Sequence, residues 1–432
     1  MFVRDRYAGF EVKTFTELTD SELGDYIERN VAAVREVVDR AGGVDAALAN
    51  HLVMGPVVLA RAGLTYALKV HGSDLSYTVL PEPGRFGPYA AEATDGAAGI
   101  LVGSSHIAAR LRAAIDDPAV SAKVRLGPPG VDTDVFRPPA PGEARARLSA
   151  LAKDLRRVPQ RDAGEESGSW DRDTAHAATA VERFAEADGP RVVFVGKLIV
   201  SKGVDLLLAA WPLVHGAHPG ARLLIAGFGE FRSGLEALWQ ALCDGDEQRR
   251  LDVARRGRAL EGGPEAPLGH LTAFLASRPT GYDAAARAAA GSVDLAGRLE
   301  HDEVGQLVPA ADALVFPSTF PEAFGMVAAE AAAASVLPIS AAHSGALEVS
   351  RALAAELPAE AAPLVSFPVD DDAVAAIASR LNGWLGLDAP ARESARRSLR
   401  HTATRLWGWE GVAAAVIAAS AGRLDGLPRV SD

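Results

Sequence analysis

Two lysines, Lys197 and Lys202, have the type and spacing expected of residues that bind an anion. They are five residues apart in the loop Gly196-Lys-Leu-Ile-Val-Ser-Lys-Gly203, between a β-branched apolar segment and a helix-like one. The dipole of a helix disfavours cations at its amino end, so two lysines there indicate a bound anion. A diphosphate would satisfy both, because charge-assisted hydrogen bonds contribute roughly 1.5–3 kcal/mol each. The alternative is that both lysines are simply solvated.

Two acids, Glu322 and Glu330, lie in a segment that is predicted to run from a strand through a tight loop into a helix. Residues 313–316 are apolar and are followed by a proline, and residues 324–334 are rich in alanine. The first amides of such a helix are unpaired N–H donors, which suit a phosphate. Glu322 precedes the helix and Glu330 lies about two turns further on, so the two acids would flank one ligand. Taken singly, each acid could instead be an ordinary helix-end or surface charge.

In their order and spacing these motifs resemble those of the family-four retaining glycosyltransferases. Pro321-Glu-Ala-Phe-Gly-Met-Val-Ala-Ala-Glu330 is similar to the acid-x7-acid segment of that family, and the loop from Gly196 to Gly203 is similar to its phosphate loop, with Lys197 where arginine is commoner. The resemblance implies the GT-B fold. This is an α/β architecture of two facing Rossmann-like domains with parallel sheets, and the sugar-donor site lies in the cleft.

The resemblance also implies roles for residues at the matching positions. It implies that His71, Lys197, Lys202 and Glu322 are catalytic, with the lysines facing the diphosphate and Glu322 beside the hexose. Glu330 would bind the ribose hydroxyls. The remaining donor-binding residues that we expect are Gly196, Gly227, Arg298, Phe324, Gly325 and Met326.

Two further loops resemble segments of the family. His71-Gly-Ser-Asp74 matches a loop whose histidine lies near the transferred sugar, although a lone His-Gly is also typical of a structural loop histidine. Residues 343–348 resemble the loop beside the nucleotide. Both follow strand-like segments, and open α/β sheets bind ligands at the carboxyl ends of their strands.

We expect no metal and no other cofactor. Asp132-Thr-Asp134 has the D-x-D pattern of a metal-dependent glycosyltransferase fold, but its surroundings resemble the segment that ends the first GT-B domain. The two acids are then expected to cap a turn. The sequence contains no Cys/His cluster with zinc spacing. The lysines and the helix amides near Gly325 could stabilise a leaving diphosphate without a metal.

Composition and the resemblance together divide the chain into four parts. The alternation of strand-like and helix-like segments predicts two Rossmann-like domains, and the stretch between them is rich in Ala, Glu, Asp and Arg, which predicts a linker that is partly disordered around residues 161–173. A surface excursion is expected at residues 244–291. The predicted parts are an acceptor-side domain at 1–137, a linker or insertion at 138–189, a nucleotide-sugar-binding domain at 190–386, and helices that cross back to the first domain at 387–432.

The opening residues differ from the family pattern. Family members begin with a strand, a glycine-rich loop and a helix, and Met1-Phe-Val-Arg-Asp-Arg-Tyr7 has no such unit. We therefore expect the first domain to lack its opening β-α unit.

Charge and cysteine content restrict the partners and the compartment. A net charge of -12 argues against nucleic acid as a partner, because binding to it needs a positive surface. The single cysteine, Cys243, excludes an intrachain disulfide and fits a reducing cytoplasm. No apolar run approaches the roughly 18 residues of a transmembrane helix, and the amino terminus lacks the pattern of a signal peptide. We therefore expect a cytoplasmic protein, for which peripheral membrane contact stays open.

The sequence thus predicts a retaining glycosyltransferase that moves a hexosyl group from a nucleotide diphosphate sugar to a glycan, lipid or small-molecule acceptor. Two alternatives remain at this stage. One is another GT-B enzyme acting on nucleotide sugars, such as an epimerase or a hydrolase. The other is a non-catalytic or truncated homologue that serves as a partner subunit. The base, the hexose and the acceptor are left open, because their pockets are built from scattered loops.

Overall fold

The computed structural model describes residues 12–158 and 172–430, which form two compact units. Unit 1 ends at Gly130 and resumes at Trp407, and unit 2 is Val131–Leu406. Each unit contains one sheet, and every strand in this part of the chain runs parallel to its neighbours. The predicted α/β class with parallel sheets is therefore confirmed. The segment expected to be disordered, 161–173, lies outside the described residues except for its last two.

Unit 1 has a four-stranded sheet in the order β1-β2-β3-β4. Its strands are β1 (Leu48–Asn50), β2 (Tyr66–Val70), β3 (Ala97–Val102) and β4 (Val124–Leu126), and its first helices are α1 (Asp20–Ala41), α2 (Gly55–Ala62), α3 (Pro83–Gly96), α4 (Ser105–Ala114) and α5 (Pro118–Lys123). β2 is buried along its whole length, as is usual for a strand covered on both faces of a parallel sheet. α1 begins at a capping box in which Thr19 and Glu22 satisfy each other's backbone N–H groups.

Unit 2 has a six-stranded sheet in the order β10-β9-β8-β5-β6-β7, which is the order of a doubly wound Rossmann-like sheet. Its strands are β5 (Arg191–Val195), β6 (Arg222–Ala226), β7 (Val293–Gly297), β8 (Ala313–Phe316), β9 (Leu337–Ala341) and β10 (Ser366–Phe367). Its helices are α6 (Ala144–Arg157), α7 (Thr174–Ala185), α8 (Val204–Ala217), α9 (Arg232–Asp244), α10 (Glu247–Arg256), α11 (Gly269–Ala276), α12 (Tyr282–Ala288), α13 (His301–Leu307), α14 (Met326–Ala333), α15 (Ser344–Ala354), α16 (Ala373–Gly386) and α17 (Ala389–Trp407).

Helices occupy much of the stretch that the sequence predicted to be a linker. α6 and α7 pack against each other and bury one apolar face each, including Leu148, Leu151 and Leu155 of α6 and Phe184 of α7. These apolar residues recur at helical spacing, but most of their neighbours are charged or alanine. The average composition of the stretch therefore hid two amphipathic helices.

The predicted surface excursion at residues 244–291 is a packed helical subdomain between β6 and β7. Its centre is Arg250, whose side chain is fully buried. The guanidinium donates to the carbonyls of Ala241 and Leu242, each at 3.1 Å, and pairs with Asp283 at 2.7 Å. A buried arginine is tolerated when its charge is paired and its donors are satisfied, so this cluster joins α9, α10 and α12.

The end of the chain belongs to unit 1. Helix α18 (Trp409–Ser420) packs against β2 and β3, where Ala419 joins the core formed by Ala67 and Leu101. The following residues extend this contact, because the N–H of Leu126 in β4 donates to the carbonyl of Pro428 at 2.9 Å. Residues 407–430 are thus part of the first core.

Helix length and polarity bear on whether the chain could enter a membrane. The longest described helix is α1, with 22 residues, and much of its surface is charged and exposed. Across residues 12–158 and 172–430, no helix combines the length and the apolar character needed to cross a bilayer.

Candidate functional site

The two loops that carry the predicted lysines and acids of unit 2 meet where the strand order of its sheet reverses. β5 pairs with β8, although β6 and β7 lie between them in sequence. Beyond the carboxyl ends of these strands, the N–H of Thr319 donates to the carbonyl of Ser201 at 2.9 Å, and the hydroxyl oxygen of Ser318 lies 3.0 Å from the same carbonyl. Open α/β sheets bind ligands at such a reversal, so the topology supplies a site here.

Gly203 allows the two loops to approach this closely. Its φ is +66°, and a Cβ at this position would lie 2.0 Å from the carbonyl oxygen of Pro317. Only glycine satisfies both conditions, the left-handed backbone and the missing side chain. α8 begins directly after Gly203, so the amino end of this helix is fixed beside the loop that follows β8.

Lys202 and Glu322 form an ion pair at this point. Nζ of Lys202 lies 2.5 Å from Oε1 of Glu322, and the side chains are 24% and 18% exposed. The hydroxyl of Ser318 lies 2.6 Å from the same carboxylate oxygen, and the ammonium lies 5.5 Å from the centre of the Phe316 ring. The structure therefore brings together two of the predicted catalytic residues. The arrangement presents a cation for an anionic ligand directly beside an acceptor for hydroxyl groups.

The backbone of Glu322 is held by the loop after β9. Its N–H donates to Oγ of Ser344 at 2.8 Å, and its carbonyl accepts from the N–H of Gly345 at 2.9 Å. His343 contacts both loops, with Nε2 at 2.8 Å from the carbonyl of Ser318 and Nδ1 at 3.0 Å from Oγ of Ser344. A carbonyl can only accept, so Nε2 donates to the carbonyl of Ser318. His343 thus fixes the position of Glu322.

Helix α14 begins two residues later than the sequence predicted. Gly325 adopts φ +109° immediately before the helix, so Phe324 and Gly325 belong to the preceding loop and the first helical residue is Met326. A positive φ is outside the helical region, which explains the later start. The predicted donor-binding residues Phe324, Gly325 and Met326 therefore lie at the amino end of the helix that carries Glu330.

Glu330 is a partly buried acid on α14. Burial raises the pKa of its carboxyl from 4.5 to about 7, and nearby His301 acts weakly in the opposite direction. Within residues 12–158 and 172–430, its side chain has no ion-pair partner at salt-bridge distance. Such a carboxyl is costly to ionise alone and gains from a ligand that supplies hydroxyl donors.

Replacing Glu330 with glutamine tests this pKa through the pH dependence of stability. A folded-state pKa above the unfolded one means that the native state holds a proton that the unfolded state has lost, so the wild type loses stability as pH rises from 4.5 to about 7. Glu330→Gln removes this loss, so the variant should be more stable than the wild type by about 3 kcal/mol near pH 8.

The measurement is urea unfolding of both proteins across this pH range. The difference in the free energy of unfolding should shrink towards zero near pH 4.5, where both side chains are neutral. A difference that is constant with pH would contradict the raised pKa.

The predicted glycines of unit 2 serve close packing at the ends of β5 and β6. A Cβ on Gly227 would lie 2.0 Å from the carbonyl oxygen of Gly196, and the N–H of Gly227 donates to Gly297 at 2.8 Å. Arg298 follows β7, with its guanidinium 5.8 Å from the centre of the Phe228 ring. These residues line the same carboxyl edge of the sheet as Lys202.

Lys197 lies in the same loop as Lys202 but in a different setting. Its side chain is exposed, whereas the next residue, Leu198, is fully buried. The contacts that join Lys202 to Glu322 do not include Lys197. A role for Lys197 in binding phosphate therefore stays a prediction.

His71, alone among the predicted residues, lies in unit 1, at the carboxyl end of β2. Its Nε2 is 2.9 Å from Oδ1 of Asn50, and its ring lies 4.8 Å from that of His51. Burial, together with His51 and Lys69, lowers the pKa of His71 to about 4, so its imidazole is neutral near pH 7. The buried carboxylate of Asp74 accepts from the backbone N–H groups of Leu52 and Gly72, and so links the loops that follow β1 and β2.

Several polar residues at these two sites were missed by sequence reasoning. Asn50 ends β1, Ser318 follows β8, and His343 and Ser344 follow β9. Each lies at the carboxyl end of a parallel strand, and this position was the signal that could have identified them. The sequence did predict that residues 343–348 lie beside the nucleotide, without a role for the histidine.

Comparison with known proteins agrees with this geometry. Residues 282–397, which include the loop after β8 and all of α14, match the family model described as glycosyl transferases group 1. A glycogen synthase of Mycobacterium tuberculosis is 30% identical over 247 residues, which are 56% of this chain and 46% of that protein. The chain is related to the group 1 glycosyltransferases. It spans about half the length of the curated relatives that it matches.

Solved structures of other proteins share the fold of this chain. Sucrose-phosphate synthase from Thermosynechococcus elongatus aligns with a TM-score of 0.52 and 20% identity over 92% of this chain and 78% of its own. Anabaena HepE in complex with UDP aligns with a TM-score of 0.53 and 15% identity over 89% of this chain and 80% of its own. The predicted GT-B fold and the resemblance to family four are confirmed.

Proposed function

We propose that this protein is a retaining glycosyltransferase that transfers a hexosyl group from a nucleotide diphosphate sugar to a glycan, lipid or small-molecule acceptor. The observation that carries the proposal is the ion pair between Lys202 and Glu322 at the point where the strand order reverses. Glu330 lies on α14, the helix that begins just after Glu322. The family match covers the two acids, and the complex of HepE with UDP supports a nucleotide as the ligand.

In this proposal, unit 2 stabilises the leaving diphosphate. As the bond between the sugar and the diphosphate breaks, negative charge grows on the phosphate oxygens, and Lys202 and backbone amides at the start of α14 bind it. Glu330 accepts hydrogen bonds from the ribose hydroxyls, and Glu322 accepts them from the hexose. Electrostatic stabilisation of this kind needs no metal, so we propose that none is required.

Lys202 can serve the diphosphate without leaving Glu322. A diphosphate offers Lys202 more negative charge than one carboxylate does, and the ammonium can donate to both at once. Glu322 keeps its contact with the Ser318 hydroxyl, and its remaining lone pairs accept from the sugar. A role for His71 in orienting the sugar stays a prediction from the family resemblance.

A thermal-shift screen of nucleotide sugars tests the proposal. A ligand that binds only the folded state raises the unfolding midpoint, and UDP-glucose and ADP-glucose are the first to examine. Product analysis then separates the alternatives. A glycosidic product supports transfer, free sugar indicates a hydrolase, and an altered nucleotide sugar indicates an epimerase. Binding without turnover would indicate a non-catalytic homologue.

His343 should act as a positioning residue for Glu322. We expect His343→Ala to lower kcat for transfer by roughly tenfold, because Ser318 and Ser344 lose the side chain that aligns them, while the affinity for the nucleotide diphosphate changes little. His343→Gln keeps an N–H donor for the Ser318 carbonyl and should recover part of the rate. Steady-state kinetics and calorimetry with UDP provide the two readouts. An equal loss of affinity and rate would contradict a role in positioning Glu322 alone.

A further inference from the structure

A second concave site lies in unit 2, at the edge of the sheet opposite the candidate site. It is a groove of about 820 Å³ whose lining includes Arg191, the first residue of β5, Asp312, which precedes β8, and Val336, which precedes β9. All strands of this sheet are parallel, so their amino ends share one edge and the carboxyl-end loops lie at the other. The groove is therefore distinct from the site of Lys202 and Glu322.

One wall of the groove is a polar face of α17. Lining residues recur at intervals of three and four along this helix, which places them on one face. The opposite wall contains prolines before α6 and before β8. The α17 residues are Glu393, Arg396, Arg397, Arg400, His401 and Thr404, and the prolines are Pro138, Pro139, Pro141 and Pro309. The groove thus joins a charged wall to an apolar one.

Among the described residues, the guanidinium groups of Arg400 and Arg191 have no carboxylate at salt-bridge distance, although Asp134 and Asp312 act on them from further away. Arg400 donates to three backbone carbonyls at 2.6–2.9 Å, and Arg191 donates to three others at 2.9–3.2 Å. Carbonyls satisfy hydrogen-bond donors but do not neutralise charge, and burial lowers the pKa of both guanidinium groups. Among the described residues, Nε of Arg400 and Nη1 of Arg191 have no hydrogen-bond partner. Both residues would gain from an added anion.

The charge of the whole lining also favours an anion. It contains four arginines and two carboxylates, in a chain whose net charge is -12. One carboxylate, Asp312, is already paired with Arg396 at 2.9 Å, and the other, Glu393, is paired with Arg397 at 3.3 Å. Arg191 and Arg400 therefore carry the excess positive charge of the groove.

We propose that this groove binds a small organic phosphate, with its phosphate group at Arg191 and Arg400 and its carbon body against the prolines. The volume lies in the range of roughly 300–1,000 Å³ that is usual for small-molecule sites. Guanidinium groups match phosphate oxygens in geometry as well as in charge. The apolar wall adds the preference for an organic ester over inorganic phosphate.

Calorimetry with phenyl phosphate tests this site, with Lys202→Ala as the background so that the other candidate phosphate site is weakened. Arg397→Glu places a negative charge at the exposed rim of the groove without touching the structural bonds of Arg400 or Arg191. We expect saturable binding of phenyl phosphate that is stronger than that of inorganic phosphate, and a loss of about tenfold in Arg397→Glu.

Arg405→Glu is the matched control. Arg405 lies on the same helix, is similarly exposed and also has one surface partner, but it does not line the groove. It should leave the affinity for phenyl phosphate nearly unchanged. Equal losses in both variants, or no saturable binding, would overturn the proposal. Sedimentation with vesicles that contain phosphatidic acid distinguishes a lipid headgroup from a soluble ester, because only the former carries the protein into the pellet.

Discussion

Lys202→Ala should lower kcat for glycosyl transfer by a factor on the order of 10², the usual effect of removing one group that stabilises developing charge. Lys202 pairs with Glu322 at 2.5 Å, and in the proposed mechanism it binds the leaving diphosphate. Its charge matters most when that diphosphate departs, so the loss should exceed any change in KM. The fold should remain intact, because the side chain is partly exposed and fills no core position.

Lys153→Ala is the matched control for this variant. Lys153 is an exposed lysine of α6, so its removal changes the net charge equally without touching the site. Steady-state kinetics with the nucleotide sugar identified by screening provide the comparison, and circular dichroism reports the fold. Unchanged kinetics in Lys202→Ala would contradict the placement of the diphosphate.

Glu330→Ala should weaken binding of the nucleotide itself. Hydrogen bonds from ribose hydroxyls to a carboxylate exist in the ground state as well as the transition state, so KM rises while kcat stays nearly constant. Losing hydrogen bonds to a charged group of roughly 1.5–3 kcal/mol corresponds to a loss of affinity of about ten- to a hundredfold. Calorimetry with UDP or ADP measures this directly.

The pH dependence of affinity separates this role from a merely structural one. Because the pKa of Glu330 is raised to about 7, the wild type must ionise this group to accept the ribose hydroxyls, and its affinity should fall as pH drops below that value. Glu330→Ala has no such group and should retain only the pH dependence of the phosphate. Glu360→Ala, which removes an exposed acid, should behave like the wild type. Parallel pH profiles for the wild type and Glu330→Ala would contradict the ribose contact.

The α/β class and the positions of the two acids, one before a helix and one within it, could be predicted because both follow from local sequence patterns. Glu322 and Glu330 are separated by one short helical segment, so their spacing alone locates them relative to one ligand. The helices within residues 138–189 could not be predicted, for the opposite reason. The apolar faces of α6 and α7 consist mainly of a few leucines and alanines. These faces are buried because the two helices pack against each other, and composition alone does not show such packing.

The detailed structure of the site depends on contacts between distant residues. Lys202 and Glu322 are 120 residues apart, and Ser318 is 117 residues from Ser201. Such contacts follow from the order of the strands in the sheet, which a single sequence does not specify. The role of His343 also depends on the strand order, because its ring contacts two loops that follow different strands.

Proton NMR of the anomeric signals during incubation of the purified protein with UDP-glucose or ADP-glucose and a panel of sugar acceptors tests the central claim most directly. The proposal predicts that nucleotide diphosphate is released in step with a new glycosidic bond whose anomeric configuration is that of the donor, and that Lys202→Ala slows both together. A product with inverted configuration, or nucleotide binding with no new bond for any donor and acceptor in the panel, would contradict it.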